Sequence, residues 1–561
     1  MITKINKFAL LLMMLCFTVS ASAASEAEYK KLAKTWTLNA DGSQEFRYKM
    51  ELTLFTHAAM NSRYGESFIV YNPKYQTLKI NESYTKQQDG TIIKTPDNAF
   101  VEVLPKNAAD APAYNHLKEM VVVHTGLELG ATIYLDYTLT SKPGYLPELD
   151  IFEAIQHDSP IREYTLTMVT PSDKTLNYTL ANNNTKPLVK ENKGKHVTSW
   201  TLRNIPQLST SAHVSISNGD LPFLAATTYA SMKDAMQTLN QQLTLTANAE
   251  IQALANELKD KKCEKNQLKA ISNYVIQNLS ANRLNLEQTG YRFRPVSEVL
   301  STLYGTEAEK ANLFAALLNA AGFKAEIVAG YPVQAEKGLG LKAIDHLYVA
   351  VNGQQYIFAI GSTARPQQVY FAGAPLYKLS DGTQLTVKPS TEYKLVSNQK
   401  INVENGKFVT ETQETVGSDL LPYFSKPEQV KEATNKLNIQ NGYTTVVLNE
   451  SEYSFSTLGC NRLNSTRNAN LQLPRPVDET YSYTITYGKN MNLCNPVRNQ
   501  EIHNAAGDLV ISVQKEGQKA TITRSLKLNK QLYTPSEYKA LRLLLTAWSD
   551  VNARTLLFSV K

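Results

Sequence analysis

The sequence predicts a multidomain chain: an antiparallel β-sandwich or barrel-like domain, a central α+β domain, and a second β-sandwich-like domain that ends in a helix. Three observations predict it. Short stretches with strand-like alternation fill the first 200 or so residues and return near Lys388. Between them the apolar spacing becomes helical. The 30 tyrosines and frequent β-branched residues suit sheets with half-exposed faces.

The chain opens with a leader. A basic start (Lys4, Lys7), an apolar run from Phe8 to Val19 and the small-residue site Ala21-Ser22-Ala23 read as a secretory signal peptide over residues 1–23. Leu15 before Cys16 is too large for a lipoprotein anchor, so the expectation is a soluble exported protein, periplasmic or at the cell surface. No later stretch holds the roughly 18 apolar residues of a membrane-spanning helix.

Residues 24–225 form the first β-rich unit. FRYKMELTLF (46–55), ESFIVYN (66–72), TLKINESYTKQ (77–87), ATIYLDYTL (131–139), REYTLTMVTP (162–171) and HVTSWTLRNIP (196–206) read as strands, divided by turns such as Gln88-Asp89-Gly90. Near Thr227 the period changes, and residues 226–385 read as α+β. Leu268, Ile271, Val275 and Leu279 share one helix face; PVSEVLSTLYG and the segment after Gly305 are further helices; KAEIVAGYP, DHLYVAVNG and QQYIFAIG are strands. Residues 386–561 return to strands, interrupted by a predicted helix PEQVKEATNKLN and closed by the helix PSEYKALRLLLTAWSDVN and the strand TLLFSV.

Composition excludes several functions. The formal charge falls from +7 to +5 once Lys4 and Lys7 leave, and no dense Lys/Arg block marks a nucleic-acid surface. No cysteine pair has metal-ligand spacing and the eight histidines are scattered, so neither a metal nor a cofactor is expected. In an oxidising compartment Cys460 and Cys494 are candidates for a disulfide, which leaves Cys263 over.

LYGTEAEKANLFAALLNAAGF (303–323) carries the most information. Thr306 followed by Glu309 is a capping box. Ala311, Phe314, Leu317, Leu318 and Ala321 then mark an apolar face, and Gly322 ends the helix. Glu307 occupies the first turn, where the helix dipole favours a carboxylate by about 0.3–1 kcal/mol. On the strand that follows, alternation puts His346, Tyr348 and Ala350 on one face and Leu347, Val349 and Val351 on the other. His346 reads either as a structural, hydrogen-bonded residue or as the partner of Glu307.

The order helix, Gly-turn, helix (KANLFAALLNAAGFKAEIV) and strand (DHLYVAVNGQQYIFAIGST) resembles the transglutaminase-like superfamily of papain-like folds. Members carry Cys at the second helix start, His opening the next strand and Asp on the strand after. Those positions fall on Glu307, on His346, and on or next to Ala359. Without the thiolate, the covalent route of Cys-His catalysis is gone. Cys263 lies more than 40 residues upstream, away from the cleft. The flanking β regions, with the closing EYKALRLLLTAWSDVNARTLLFSV, resemble domains of unknown function in exported bacterial proteins. The resemblance implies a non-catalytic envelope protein that binds or scaffolds a protein, peptide or glycan partner. Two alternatives remain: a hydrolase or peptidase that uses Glu307 and His346, or carbohydrate or peptide binding by the β domains.

Overall fold

The computed structural model describes residues 25–561 except 210–212, 215–220, 245–247, 260–262, 354–355, 361–366, 369–374, 386–391, 405, 419–429, 460–463, 474 and 495–498. The leader expected over residues 1–23 lies outside the described residues. Among the described residues no helix is long and apolar enough to cross a membrane.

The N-terminal unit packs one large sheet against two small ones. The large sheet has eight strands and is centred on Ile161–Pro171, Ala27–Leu38, Gln44–Leu54 and Thr132–Ser141. Leu32, Met50, Leu52, Tyr164, Leu166 and Trp200 point from it into a core completed by Ile151, Leu224, Ile69 and Val122 of the small sheets. The architecture is the expected sandwich, with one difference. Ala27–Leu38 and Ile161–Pro171 run parallel, Leu32 opposite Tyr164, because more than 100 residues separate them and leave room for a crossover.

In the central unit the helix Glu307–Ala320 is the hub. Sequence alone assigns it one apolar face, but every residue from Ala308 to Leu318 is buried, Lys310 and Asn312 included. The helices Ala249–Glu257, Glu264–Gln277 and Val296–Thr302 pack around it, and a six-stranded sheet holding Ala325–Gly330, His346–Val351 and Tyr356–Ala359 covers another side. Enclosure on all sides therefore buries polar side chains as well, and Lys310 is met there by the Leu279 carbonyl at 3.1 Å. Leu268, Ile271, Val275 and Leu279 are buried as their spacing predicts. The strand His346–Val351 sends Leu347, Val349 and Val351 into the main core and Tyr348 and Ala350 into a smaller cluster on the opposite face.

The C-terminal unit sets a seven-stranded sheet against the helix Tyr538–Trp548 and a three-stranded sheet that includes the last strand, Thr555–Val560. It also contains one parallel pair, Tyr393–Glu404 with Asp478–Tyr487. The helix expected in PEQVKEATNKLN is a correction. Lys431–Lys436 is an exposed edge strand paired antiparallel with Lys407–Ser418. Its side chains are all exposed, so a helix there would have no apolar face to bury, whereas the sheet edge satisfies its backbone. Of the expected disulfide pair, Cys494 is exposed with its sulfur 3.4 Å from the Asn492 carbonyl, and Cys460 lies outside the described residues.

Candidate functional site

The site is built from the helix start upward. Leu303 takes a left-handed conformation after the helix Val296–Thr302, which turns the chain into the short strand Tyr304–Thr306. Thr306 then caps the helix: its side chain accepts the Glu309 N–H at 3.3 Å, and Glu309 Oε2 accepts the Thr306 N–H at 2.9 Å. The far end is a Schellman closure, with Phe323 N donating to Leu318 O, Gly322 N donating to Asn319 O, and Gly322 at φ +95°.

Glu309 is fully buried, and its charge is met from three directions. Arg294 grips both carboxylate oxygens at 3.0 Å through Nε and Nη2, the Arg294 backbone N–H adds a third bond at 3.0 Å, and Tyr114 of the N-terminal domain donates its hydroxyl at 2.5 Å. The guanidinium also lies over the Tyr304 ring, 4.3 Å from its centroid. Burial pulls the Arg294 pKa down, but the Glu309 hydrogen bond and charge more than reverse this and leave it raised. Ala108, Ala111, Tyr114 and Leu117 of the N-terminal domain pack with Leu284 beside this network. The flanking domain therefore buttresses the helix start.

With the cap supplied by Thr306 and Glu309, Glu307 is released from that task. Its side chain crosses to the adjacent strand, where Oε1 lies 3.0 Å and Oε2 3.2 Å from Nδ1 of His346. Oε1 also accepts the Leu347 N–H at 3.2 Å. The Glu307 hydrogen bond raises the His346 pKa above its ordinary value, and partial burial opposes it. The other ring nitrogen, Nε2, is 3.7 Å from Asp345 Oδ1. Ala359, at the third triad-equivalent position, is the cross-strand neighbour of Tyr348 and packs as a methyl group in that apolar cluster.

Glu307 and His346 line an open cleft of about 230 Å³ whose far wall is the segment from Ala281 to Leu286, with Thr289. No serine or cysteine is among the described residues that line it. Thr306 does line it, but its hydroxyl is committed to the cap. Cys263 sits just before the helix Glu264–Gln277 and takes no part in the cleft. The structure thus brings together two of the three positions that the sequence resemblance assigns to the triad, Glu307 and His346. Sequence reasoning missed Arg294 and Tyr114, which neither motif nor spacing marks.

Comparison with known proteins agrees with this organisation. The model of the transglutaminase-like superfamily matches residues 252–359. Models of two domains of unknown function, DUF3857 and DUF3858, match residues 40–209 and 442–558. A crystal structure from Parabacteroides distasonis ATCC 8503, described as "a putative protease", is 39% identical; the match covers 96% of this chain and 100% of that one, with a TM-score of 0.79. Two crystal structures of an M1 zinc metallopeptidase from Deinococcus radiodurans match at 10% and 12% identity over 36% of this chain and 42% of theirs, with TM-scores of 0.19 and 0.20, too low to carry an argument. No curated protein matches the chain. The chain belongs to the transglutaminase-like superfamily, its core set between an N-terminal DUF3857 domain and a C-terminal DUF3858 domain.

Proposed function

We propose that the chain is an exported, non-catalytic member of its family that binds or scaffolds a partner in the cell envelope through the cleft at Glu307 and His346. One observation carries this reading. At the nucleophile position stands a carboxylate engaged by an imidazole and a backbone N–H, and among the described residues of the cleft the two hydroxyls are engaged elsewhere, Thr306 in the helix cap and Thr289 on the Leu286 carbonyl. A thiolate–imidazolium pair does covalent chemistry because the sulfur attacks and the ring then moves the proton. A carboxylate–imidazolium pair keeps the charges and the geometry but is a poor acyl acceptor, so what it offers a partner is a fixed dipole in an open cleft. The basic residues of the leader and its small-residue site support the exported location.

A second reading is favoured by the 3.0 Å approach itself and by the relative's description: a hydrolase in which the Glu307–His346 pair activates water. The two readings are separated by assaying the purified protein for amide cleavage and for glutamine–amine cross-linking over a peptide panel. The binding reading expects no turnover above background. Turnover by the wild type that disappears in His346→Ala would establish the hydrolase instead.

A further inference from the structure

A second cleft, independent of Glu307 and His346, opens between the sheets of the N-terminal domain. It encloses about 340 Å³, at the lower end of the roughly 300–1,000 Å³ that small-molecule sites span. Aromatic rings form its walls. Trp36 and Phe46 are cross-strand neighbours with centroids 5.4 Å apart, and Tyr137 meets Phe46 edge-on at 6.1 Å. Phe152 faces them from a small sheet. Phe68, also on the lining, is 59% exposed, the most exposed large apolar side chain among the described residues. A ring held in water at the edge of an aromatic cleft adds nothing to the core, but it does extend a stacking surface.

The polar groups of the cleft are acceptor-rich. Asp150 Oδ2 accepts the Lys342 N–H at 3.0 Å, while Oδ1, buried on the cleft wall, has no hydrogen-bond partner among the described residues. Nearby, Lys34 and Glu153 form an ion pair at 2.6 Å, and Lys342 pairs with Glu287. The four carboxyl groups on the lining, Glu45, Asp150, Glu153 and Glu287, outnumber the two ammonium groups of Lys34 and Lys342. Even with Asp150 protonated, the carboxylates of Glu45, Glu153 and Glu287 outnumber the ammonium groups, and that balance repels an anion.

We propose that this cleft binds a neutral saccharide of one or two rings, its C–H faces lying on Trp36 and Phe46 and its hydroxyl or amide N–H groups donating to the exposed Glu45 carboxylate. A pyranose ring carries both features at once: flat apolar faces for the aromatic walls and a rim of donors for the acceptors. Glu287 and Gln288, which close this cleft, belong to the segment whose neighbours Asn282 to Leu286 wall the Glu307–His346 cleft. The saccharide site stands whether or not the Glu307–His346 cleft is catalytic.

The test is saturation-transfer NMR on the full chain, with N,N′-diacetylchitobiose and cellobiose as probes and digalacturonic acid and the peptide Ala-Gln-Ala as comparisons. The expected result is saturable transfer to ring C–H protons of at least one neutral disaccharide and none to digalacturonic acid. Trp36→Ala is expected to weaken that binding by about tenfold or more. Phe68→Ala weakens it by less, and because Phe68 is exposed the variant folds and the result is readable even where Trp36→Ala does not fold. No transfer to either neutral disaccharide, transfer unchanged in both variants, or preferential binding of the acid or the peptide would each overturn the proposal.

Discussion

Glu307 and His346 form a hydrogen-bonded pair across the cleft, with 3.0 Å between Oε1 and Nδ1 and the Leu347 N–H donating to the same carboxylate oxygen at 3.2 Å. In a family whose members place Cys at the helix start and His at the strand start, this chain pairs a carboxylate with an imidazole at those two places. The consequences are measurable in the titration of the ring, in the stability of the helix start and in what happens when a thiol is returned.

The Glu307 hydrogen bond raises the His346 pKa. The His346 ring protons, followed by NMR, are therefore expected to titrate above the ordinary value of about 6.5, and Glu307→Gln to bring them back toward or below it. The sign for stability follows. A histidine with a raised folded-state pKa contributes fully below about pH 6.5, and that contribution is lost as pH rises through the folded pKa. Urea unfolding is therefore expected to show a larger cost of Glu307→Gln in mild acid than in mild base. With His346 45% and Glu307 32% exposed, that cost stays within about 1 kcal/mol. Equal costs at both pH values would contradict the pairing.

Glu309 behaves differently because it has no exposure at all. Removing its charge leaves the largely buried Arg294 with only the half-exposed Glu298 carboxylate, 3.6 Å away, so Glu309→Gln is expected to cost about 3–5 kcal/mol in chemical unfolding. Tyr114→Phe removes one bond to a charged acceptor and is expected to cost about 1.5–3 kcal/mol. Thr306→Ala, which deletes only the cap, is expected to cost about 1 kcal/mol. A Glu309→Gln loss no larger than that of Thr306→Ala would show that the network does not hold the helix start.

Burial pushes the Asp150 carboxyl up to about 7. An acid whose folded pKa is raised is penalised in the folded state as pH climbs: the penalty is absent below about 3.9, grows until pH passes the folded value, and is constant above it. Asp150→Asn removes it. Melting temperatures are therefore expected to show the variant gaining on the wild type between pH 5 and pH 8; a difference that does not change with pH would refute a protonated, buried Asp150.

Much of this was legible in the sequence because it is local. The capping box of Thr306 and Glu309, the stop at Gly322 and the buried stripe Leu268, Ile271, Val275 and Leu279 depend on residues a turn apart. The alternation on the strand His346–Val351 was readable for the same reason. What was not legible is long-range or irregular. Tyr114 reaches Glu309 across 195 positions, and nothing in either neighbourhood marks the pair. The first strand, Ala27–Leu38, hides because a bulge between Tyr29 and Lys31 interrupts the alternation that would announce it. Lys431–Lys436 misled because an exposed edge strand need not alternate at all. That Glu307 turns to His346, rather than serving the cap, depends on the strand packed beside the helix.

The most direct test of the central claim is to return the missing atom. Glu307→Cys places a thiol at a helix N-terminus beside His346, a setting that lowers a thiol pKa below its ordinary value of about 8.5. Alkylation by iodoacetamide is followed against pH, with release of ammonia from a glutamine peptide measured in parallel for the variant and the wild type. Rapid alkylation of Glu307→Cys below pH 8, slowed by a second change His346→Ala, is expected, with no ammonia release by the wild type. Ammonia release by the wild type that depends on His346, or a thiol in Glu307→Cys that titrates near 8.5 whether or not His346 is present, would contradict that claim.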